Sequence, residues 1–233
     1  IKVPDVFRSI MPIFVIPLIG TFITAGIMMW VIGKPIANIT VLLTQWLQNM
    51  SGANTILLAI ILGMMIAFDM GGPVNKVAFS FMILSVSEQI YTIPAMIGVA
   101  ICVPPIGLGI STLLAPKKYS DEEKETGKAA ILMGLVGVTE GAIPFAAANP
   151  LRVIPALMIG AACGSVTAGL LGAKLSSSWG GLIVLPTVEN KIGYIISVLV
   201  GAMVTAVLAI VLKKSEVKEA VSDSDDLELE IEF

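Results

Sequence analysis

The chain has 233 residues, 56% hydrophobic and 13% charged, with a formal net charge of −3 and a mean hydropathy of +0.95. A soluble domain has about one quarter charged residues, so this composition points away from a water-soluble fold and toward a membrane protein. Histidine is absent, which excludes Ser-His-Asp and Cys-His catalysis, a His-based metal site and phosphohistidine chemistry. No Gly-rich loop precedes a Lys-Ser/Thr pair, so ATP-driven pumping is not encoded. Cys102 and Cys163 lie in apolar runs without a Cys-x-x-Cys partner and read, like the twelve methionines, as packing residues. No cofactor or metal site is expected.

In chain order, Ile1-Lys2-Val3-Pro4-Asp5 shows no initiator Met, leader or cleavage site and reads as an internal cut. Four runs then lack Asp, Glu, Lys and Arg: Ile10–Gly33, Gln89–Pro116, Val153–Ala173 and Ile192–Leu212. Each can span a hydrocarbon core, which needs about 17–25 residues. Basic residues flank them: Lys2 and Arg8, then Lys117, Lys118, Lys124 and Lys128 in a central polar loop, then Lys213 and Lys214. The positive-inside rule places all three clusters in the cytoplasm.

That orientation fixes the remainder. Pro35–Met50, with Trp46 and no charge, suits a helix lying at the interface. Ile56–Phe68 is too short to cross, breaks at Asp69-Met70-Gly71-Gly72-Pro73 and resumes as Val74–Tyr91, as a hairpin entering from outside would. Ala129–Val138 is again too short. It breaks at Thr139-Glu140-Gly141-Ala142-Ile143-Pro144 and returns through Ala147–Arg152, entering from inside. Ser176–Gly181 and Leu185-Pro186-Thr187 form an outer turn or short hairpin. The expected fold is all-α, a polytopic transmembrane bundle with two oppositely oriented re-entrant hairpins, over residues 1–212. The acidic segment 213–233 is expected to be a disordered cytoplasmic tail.

The two breaks carry the chemistry. A carboxylate near the bilayer centre costs at least ~2.5–3.5 kcal/mol on insertion scales and generally faces a cavity. Helix breaks at that depth free backbone groups that lipid cannot satisfy. Asp69 and Glu140, from opposite sides, can each accept hydrogen bonds from sugar hydroxyls. Asn75 adds an amide, Thr139 a hydroxyl, and Gly71, Gly72 and Gly141 backbone N–H groups able to bind a polar solute or phosphate. Plainer roles stand beside these: Asp69 pairing with Lys76, Glu140 capping its own break, Asn75 capping the following helix. Arg152 either receives a phosphoryl group or anchors its segment at the membrane surface.

Phe68-Asp69-Met70-Gly71-Gly72-Pro73-Val74-Asn75-Lys76 and Thr139-Glu140-Gly141-Ala142-Ile143-Pro144-Phe145-Ala146-Ala147, followed by Pro150-Leu151-Arg152-Val153-Ile154-Pro155, resemble the fructose-type enzyme IIC permeases. These are membrane components of the bacterial phosphoenolpyruvate-dependent sugar phosphotransferase system. Val103-Pro104-Pro105-Ile106-Gly107-Leu108-Gly109 and Trp179-Gly180-Gly181-Leu182 are similar too, so the resemblance runs from Pro4 to the neighbourhood of Leu212.

The resemblance implies a multi-pass permease in the bacterial inner membrane that binds a hexose, fructose first, and passes it on for phosphorylation by a separate IIB phosphocysteine domain served by IIA. Glu140, at the Thr-Glu motif, would bind a sugar hydroxyl and accept its proton, making it the candidate catalytic residue. Family members carry further membrane helices before the segment like Val3-Pro4-Asp5, implying a homodimer formed through that half. The chain would hold no phosphorylation site of its own, and whether to class it as an enzyme stays open. Other readings are a IIC for mannose or 2-O-mannosylglycerate, an ion-coupled secondary transporter with Asp69 and Glu140 as ion sites, and a structural membrane subunit.

Overall fold

A computed structural model of the chain describes residues 16–32, 38, 41–42 and 55–213. The chain divides into two compact units, Ile1–Asn49 and Met50–Phe233. In the first unit the apolar run forms helix α1, Ile16–Ile27, which continues as a π-helical stretch over Met28–Ile32. Phe22, Met29 and Trp30 stand exposed along it, a surface suited to lipid rather than water. The interfacial helix expected over Pro35–Met50 lies outside the described residues but for Asn38, Val41 and Leu42. The tail beyond Lys213 lies outside them entirely.

In the second unit the helices are α2 (Thr55–Phe68), α3 (Pro73–Ser87), α4 (Thr92–Leu114), α5 (Asp121–Val136), α6 (Ile143–Ala148), α7 (Pro150–Leu170) and α8 (Lys191–Leu212). Short 3-10 segments occupy Pro116–Lys118, Thr139–Ala142 and Leu182–Thr187. One isolated bridge, Leu175 to Val188, is the only β pairing among the described residues. Helices α4, α7 and α8 have 23, 21 and 22 residues and are apolar enough to cross a membrane. They coincide with three of the four charge-free runs. Helix α7 begins at Pro150 rather than Val153, because proline in the first turn loses no hydrogen bond there. Asn190 caps α8 by accepting from the Gly193 N–H at 3.0 Å.

Helix α4 is the centre of the bundle. It has no polar face, so it must be surrounded on all sides, and every residue from Ile93 to Gly109 is buried. Helices α2, α5, α7 and α8 pack around it. Helix α8 shows how the outside is solved. Its buried positions are mostly small or polar, among them Gly193, Ser197, Gly201, Ala202, Thr205 and Ala206. Ile192, Ile196, Leu199, Met203, Val207 and Val211 face outward. Small residues inside and large aliphatics outside is the membrane pattern, since lipid gives large side chains no reason to hide.

Helix α5 starts earlier than the expected Ala129. The segment read as a polar loop is its first half. Ser120 and Glu123 close a capping box, Ser120 Oγ accepting from the Glu123 N–H at 3.2 Å and Glu123 Oε2 from the Ser120 N–H at 3.0 Å. The acidic first turn, Asp121 to Glu123, then complements the positive end of the helix.

Candidate functional site

The first break joins α2 and α3, 14 and 15 residues long. At 1.5 Å per residue these arms reach about 21–23 Å, short of the ~30 Å core. At the tip Met70 has φ 43° and Gly71 φ 108°, so two consecutive residues take the left-handed side, a strained arrangement for methionine. Asp69 anchors the turn. Its Oδ2 accepts from the Val74 N–H at 2.7 Å and its Oδ1 from the Asn75 N–H at 2.9 Å.

Those amides are orphan donors of the first turn of α3, whose positive end favours a carboxylate. Asp69 therefore caps α3 instead of pairing with Lys76. No ion pair joins the two among the described residues, and the Lys76 ammonium lies 5.6 Å from the centre of the Phe79 ring. A carboxylate offers about four acceptor directions, so Asp69 keeps capacity for a ligand.

Asn75 is buried, and its side-chain amide donates to the Ile66 carbonyl at 2.7 Å. It ties the end of α2 to the start of α3 across the break. The Gly72 N–H is engaged with the Asp69 carbonyl at 3.1 Å, whereas the Met70 and Gly71 amides have no backbone partner among the described residues.

The second break follows α5, which ends on Gly137 with φ 90°. The chain passes through the 3-10 segment Thr139–Ala142 and the six-residue α6 before α7. Helix α4 backs this break: a β-carbon on Gly141 would stand 3.2 Å from Pro105 Cβ and 3.0 Å from Met133 Cβ. Thr139 is buried and the Gly141 N–H turns onto the Val138 carbonyl at 3.4 Å. Glu140 is half-buried. Among the described residues it has no cationic partner, since the ion pairs there are Lys124–Asp121, Lys128–Glu125, Lys174–Glu189 and Lys213–Glu123.

The two breaks meet. A β-carbon on Gly71 would lie 2.5 Å from Glu140 Oε1, and one on Gly72 would lie 2.5 Å from Asp69 Oδ2. Adjacent bare glycines thus each carry one carboxylate, bringing Asp69, Gly71, Gly72 and Glu140 into one locus. A third element closes on it. Trp179 Nε1 donates to the Val136 carbonyl at 2.9 Å, and a β-carbon on Gly181 would reach the Gly137 nitrogen at 2.6 Å.

The segment expected to be an outer turn or short hairpin therefore reaches the end of α5, where the second break begins. Its half-exposed indole meets Phe79 of α3 edge-on, ring centres 6.1 Å apart. Trp179 and Phe79 were not among the expected site residues. The Trp-Gly-Gly motif was the available signal, because an aromatic followed by two glycines permits close backbone approach.

Arg152 lies apart from this locus. It borders a separate cavity of about 290 Å³, shared with Tyr119, Glu123, Asn149 and Lys213, to which no tip residue contributes.

A family model described as phosphotransferase system, EIIC matches residues 1–160. The fructose-like permease IIC component 2 of Escherichia coli K12 is 58% identical over all of this chain and 66% of its own length. The PTS system fructose-specific EIIB'BC component of the same organism is 41% identical over 93% of the chain and 39% of its own. The PTS system fructose-specific EIIC component of Haloferax volcanii is 41% identical over 96% of the chain and 60% of its own. The chain thus spans between about two fifths and two thirds of the length of these relatives. No solved structure matches. A family model covering well over half the chain, through both breaks and into α7, places this chain in the phosphotransferase system EIIC family of membrane permeases.

Proposed function

We propose that this chain is the substrate-holding part of a sugar permease, with Asp69 and Glu140 as two walls of one hexose site. The observation that carries the reading is Glu140, a half-buried carboxylate without a cationic partner among the described residues, lying against the Gly71 tip of the other break. A carboxylate only accepts, and a sugar presents several donating hydroxyls. Asp69, Gly71 and Gly72 supply the facing wall, Thr139 and Gly141 the floor around Glu140, and Asn75 holds the first break in shape. Trp179, beside the second break, offers an amphipathic ring face of the kind that suits a sugar.

Fructose is the first substrate to test, given the names of the relatives. In this reading the breaks are re-entrant, entering from opposite sides and meeting near the midplane, an arrangement that places a site where alternating access can work on it. The Lys-rich ends face the cytoplasm of a bacterial cell. Several relatives bear EIIB'BC or EIIABC in their names, and a IIB phosphocysteine is the phosphoryl donor proposed here. Its S–P bond breaks as the sugar O–P bond forms, and Glu140 takes the hydroxyl proton. A homodimer through a further N-terminal half completes the proposed assembly.

The test is Glu140→Gln in the complete permease, with uptake and sugar-phosphate formation measured and membrane insertion checked separately. Removing a charged acceptor of this kind costs about 1.5–3 kcal/mol, a tenfold or greater loss in both readouts. Normal uptake by an inserted variant would falsify the reading. Uptake that needs phosphoenolpyruvate and yields sugar phosphate separates it from ion-coupled transport.

A further inference from the structure

The cavity beside Arg152 lies where the end of α8, the start of α7, the short α6 and the segment from Tyr119 to Glu123 converge. Its volume, about 290 Å³, falls at the small end of ligand pockets, ~300–1,000 Å³. Two cations and one carboxylate line it. Lys213 pairs with Glu123, both side chains three-quarters or more buried, and its ammonium also sits 4.4 Å from the centre of the Tyr119 ring. The Tyr119 hydroxyl is fixed by Ser111 Oγ at 2.7 Å. Lys118 takes up the last carbonyls of α8, donating to Ile210 O at 2.8 Å.

Of the two cations lining the cavity, Arg152 is the one with no counter-charge among the described residues, and it stands in the first turn of α7, where a cation is disfavoured. The excess is one positive charge on a half-buried arginine at the cavity wall, next to a second cation held by a carboxylate that a stronger anion would displace.

We propose that this cavity binds a phosphate monoester. Arg152 supplies a bidentate fork for two phosphate oxygens. Lys213 is the second cation, released from Glu123 when the dianion arrives. Asn149 and the Tyr119–Phe145 edge, ring centres 6.5 Å apart, border the organic part. The site rests on the permease reading only in naming a hexose phosphate as the first source. A lipid phosphate headgroup presents the same chemistry.

The test uses the full-length permease in phosphatidylcholine nanodiscs, titrated with inorganic phosphate, fructose 6-phosphate and fructose 1-phosphate. A parallel set of nanodiscs carries phosphatidic acid, with retained lipid read by native mass spectrometry. Arg152→Gln is expected to weaken phosphate binding by about tenfold or more, and Glu123→Gln to tighten it several-fold. Glutamine preserves the capping box with Ser120, so a tightened variant is a folded one.

Arg152-dependent binding of a soluble phosphate identifies the sugar phosphate as source; Arg152-dependent retention of phosphatidic acid alone identifies the lipid. Binding in neither arm, affinity in Arg152→Gln within about twofold of wild type, or weaker binding in Glu123→Gln overturns the proposal. Free fructose, titrated separately, reports on the break locus. Its failure with phosphate binding intact sinks the sugar reading and leaves this pocket; the reverse sinks the pocket alone.

Discussion

Glu140 occupies the space that a side chain on Gly71 would need: a β-carbon there would lie 2.5 Å from its Oε1 and 3.0 Å from its Cδ. Two helix breaks separated by a whole central helix thus meet through one carboxylate and one bare α-carbon. The Gly71 φ of 108° adds a backbone reason for glycine to the steric one.

Gly71→Ala is therefore expected to act twice. The backbone strain costs about 1–3 kcal/mol, seen as a lowered Tm in detergent. Displacing Glu140 is expected to lower sugar uptake about tenfold, a larger effect than the stability loss alone gives. Uptake that falls only as far as the amount of folded protein would show that the contact is packing and nothing more.

Asp69 separates capping from binding. Asp69→Ala removes both bonds to the first turn of α3 and is expected to cost about 1 kcal/mol, whereas Asp69→Asn keeps a capping acceptor and costs less. Thermal unfolding of the two variants checks the order. If Asp69 is also a wall of the sugar site, Asp69→Asn still lowers sugar affinity despite its near-native stability.

Trp179 bridges the loop before α8 and the second break. Trp179→Phe loses the bond to the Val136 carbonyl while keeping an aromatic edge for Phe79, an expected cost of about 1 kcal/mol. Trp179→Ala loses both and should be clearly worse. Equal unfolding midpoints for the two would remove the aromatic contact from consideration.

Tyr119 gives a pH signature outside the spanning helices. Burial, offset in part by the Ser111 hydrogen bond and helped by the nearby Glu123 carboxylate, raises its pKa above the ordinary 10.0. The unfolded chain then ionises first, so the stability Tyr119 contributes is whole below pH 10.0 and is lost as pH rises through the raised folded value. Phenolate absorbance against pH, compared with Tyr119→Phe, isolates this tyrosine. A midpoint at or below the ordinary value would contradict the burial seen here.

How much was legible in the sequence depends on whether the cause was local. Hydropathy marked α4, α7 and α8, because lipid forces the exposed positions of α7 and α8 to be apolar and burial on all sides does the same for α4. The Gly-Gly-Pro and Thr-Glu-Gly segments announced both breaks, because these residues cannot continue a helix at little cost. The start of α5 was also local, written in Ser120 and Glu123, yet charge density concealed it behind the look of a loop.

Length and hydropathy could not decide what the tips touch. Asp69 turned inward to cap α3 because orphan amides lay within its reach, and Lys76 went to Phe79. Asn75 became a tie to Ile66. The loop around Trp179 reached the second break because Gly137, Gly180 and Gly181 leave backbone room there, a fit between segments more than forty residues apart. By itself the sequence determined which stretches can live in lipid and where helices must stop. Only the tertiary structure decided that Gly71 meets Glu140 and that Arg152 faces a separate cavity. Such contacts depend on the packing of α4 between the two breaks, and no local pattern of residues encodes that distance.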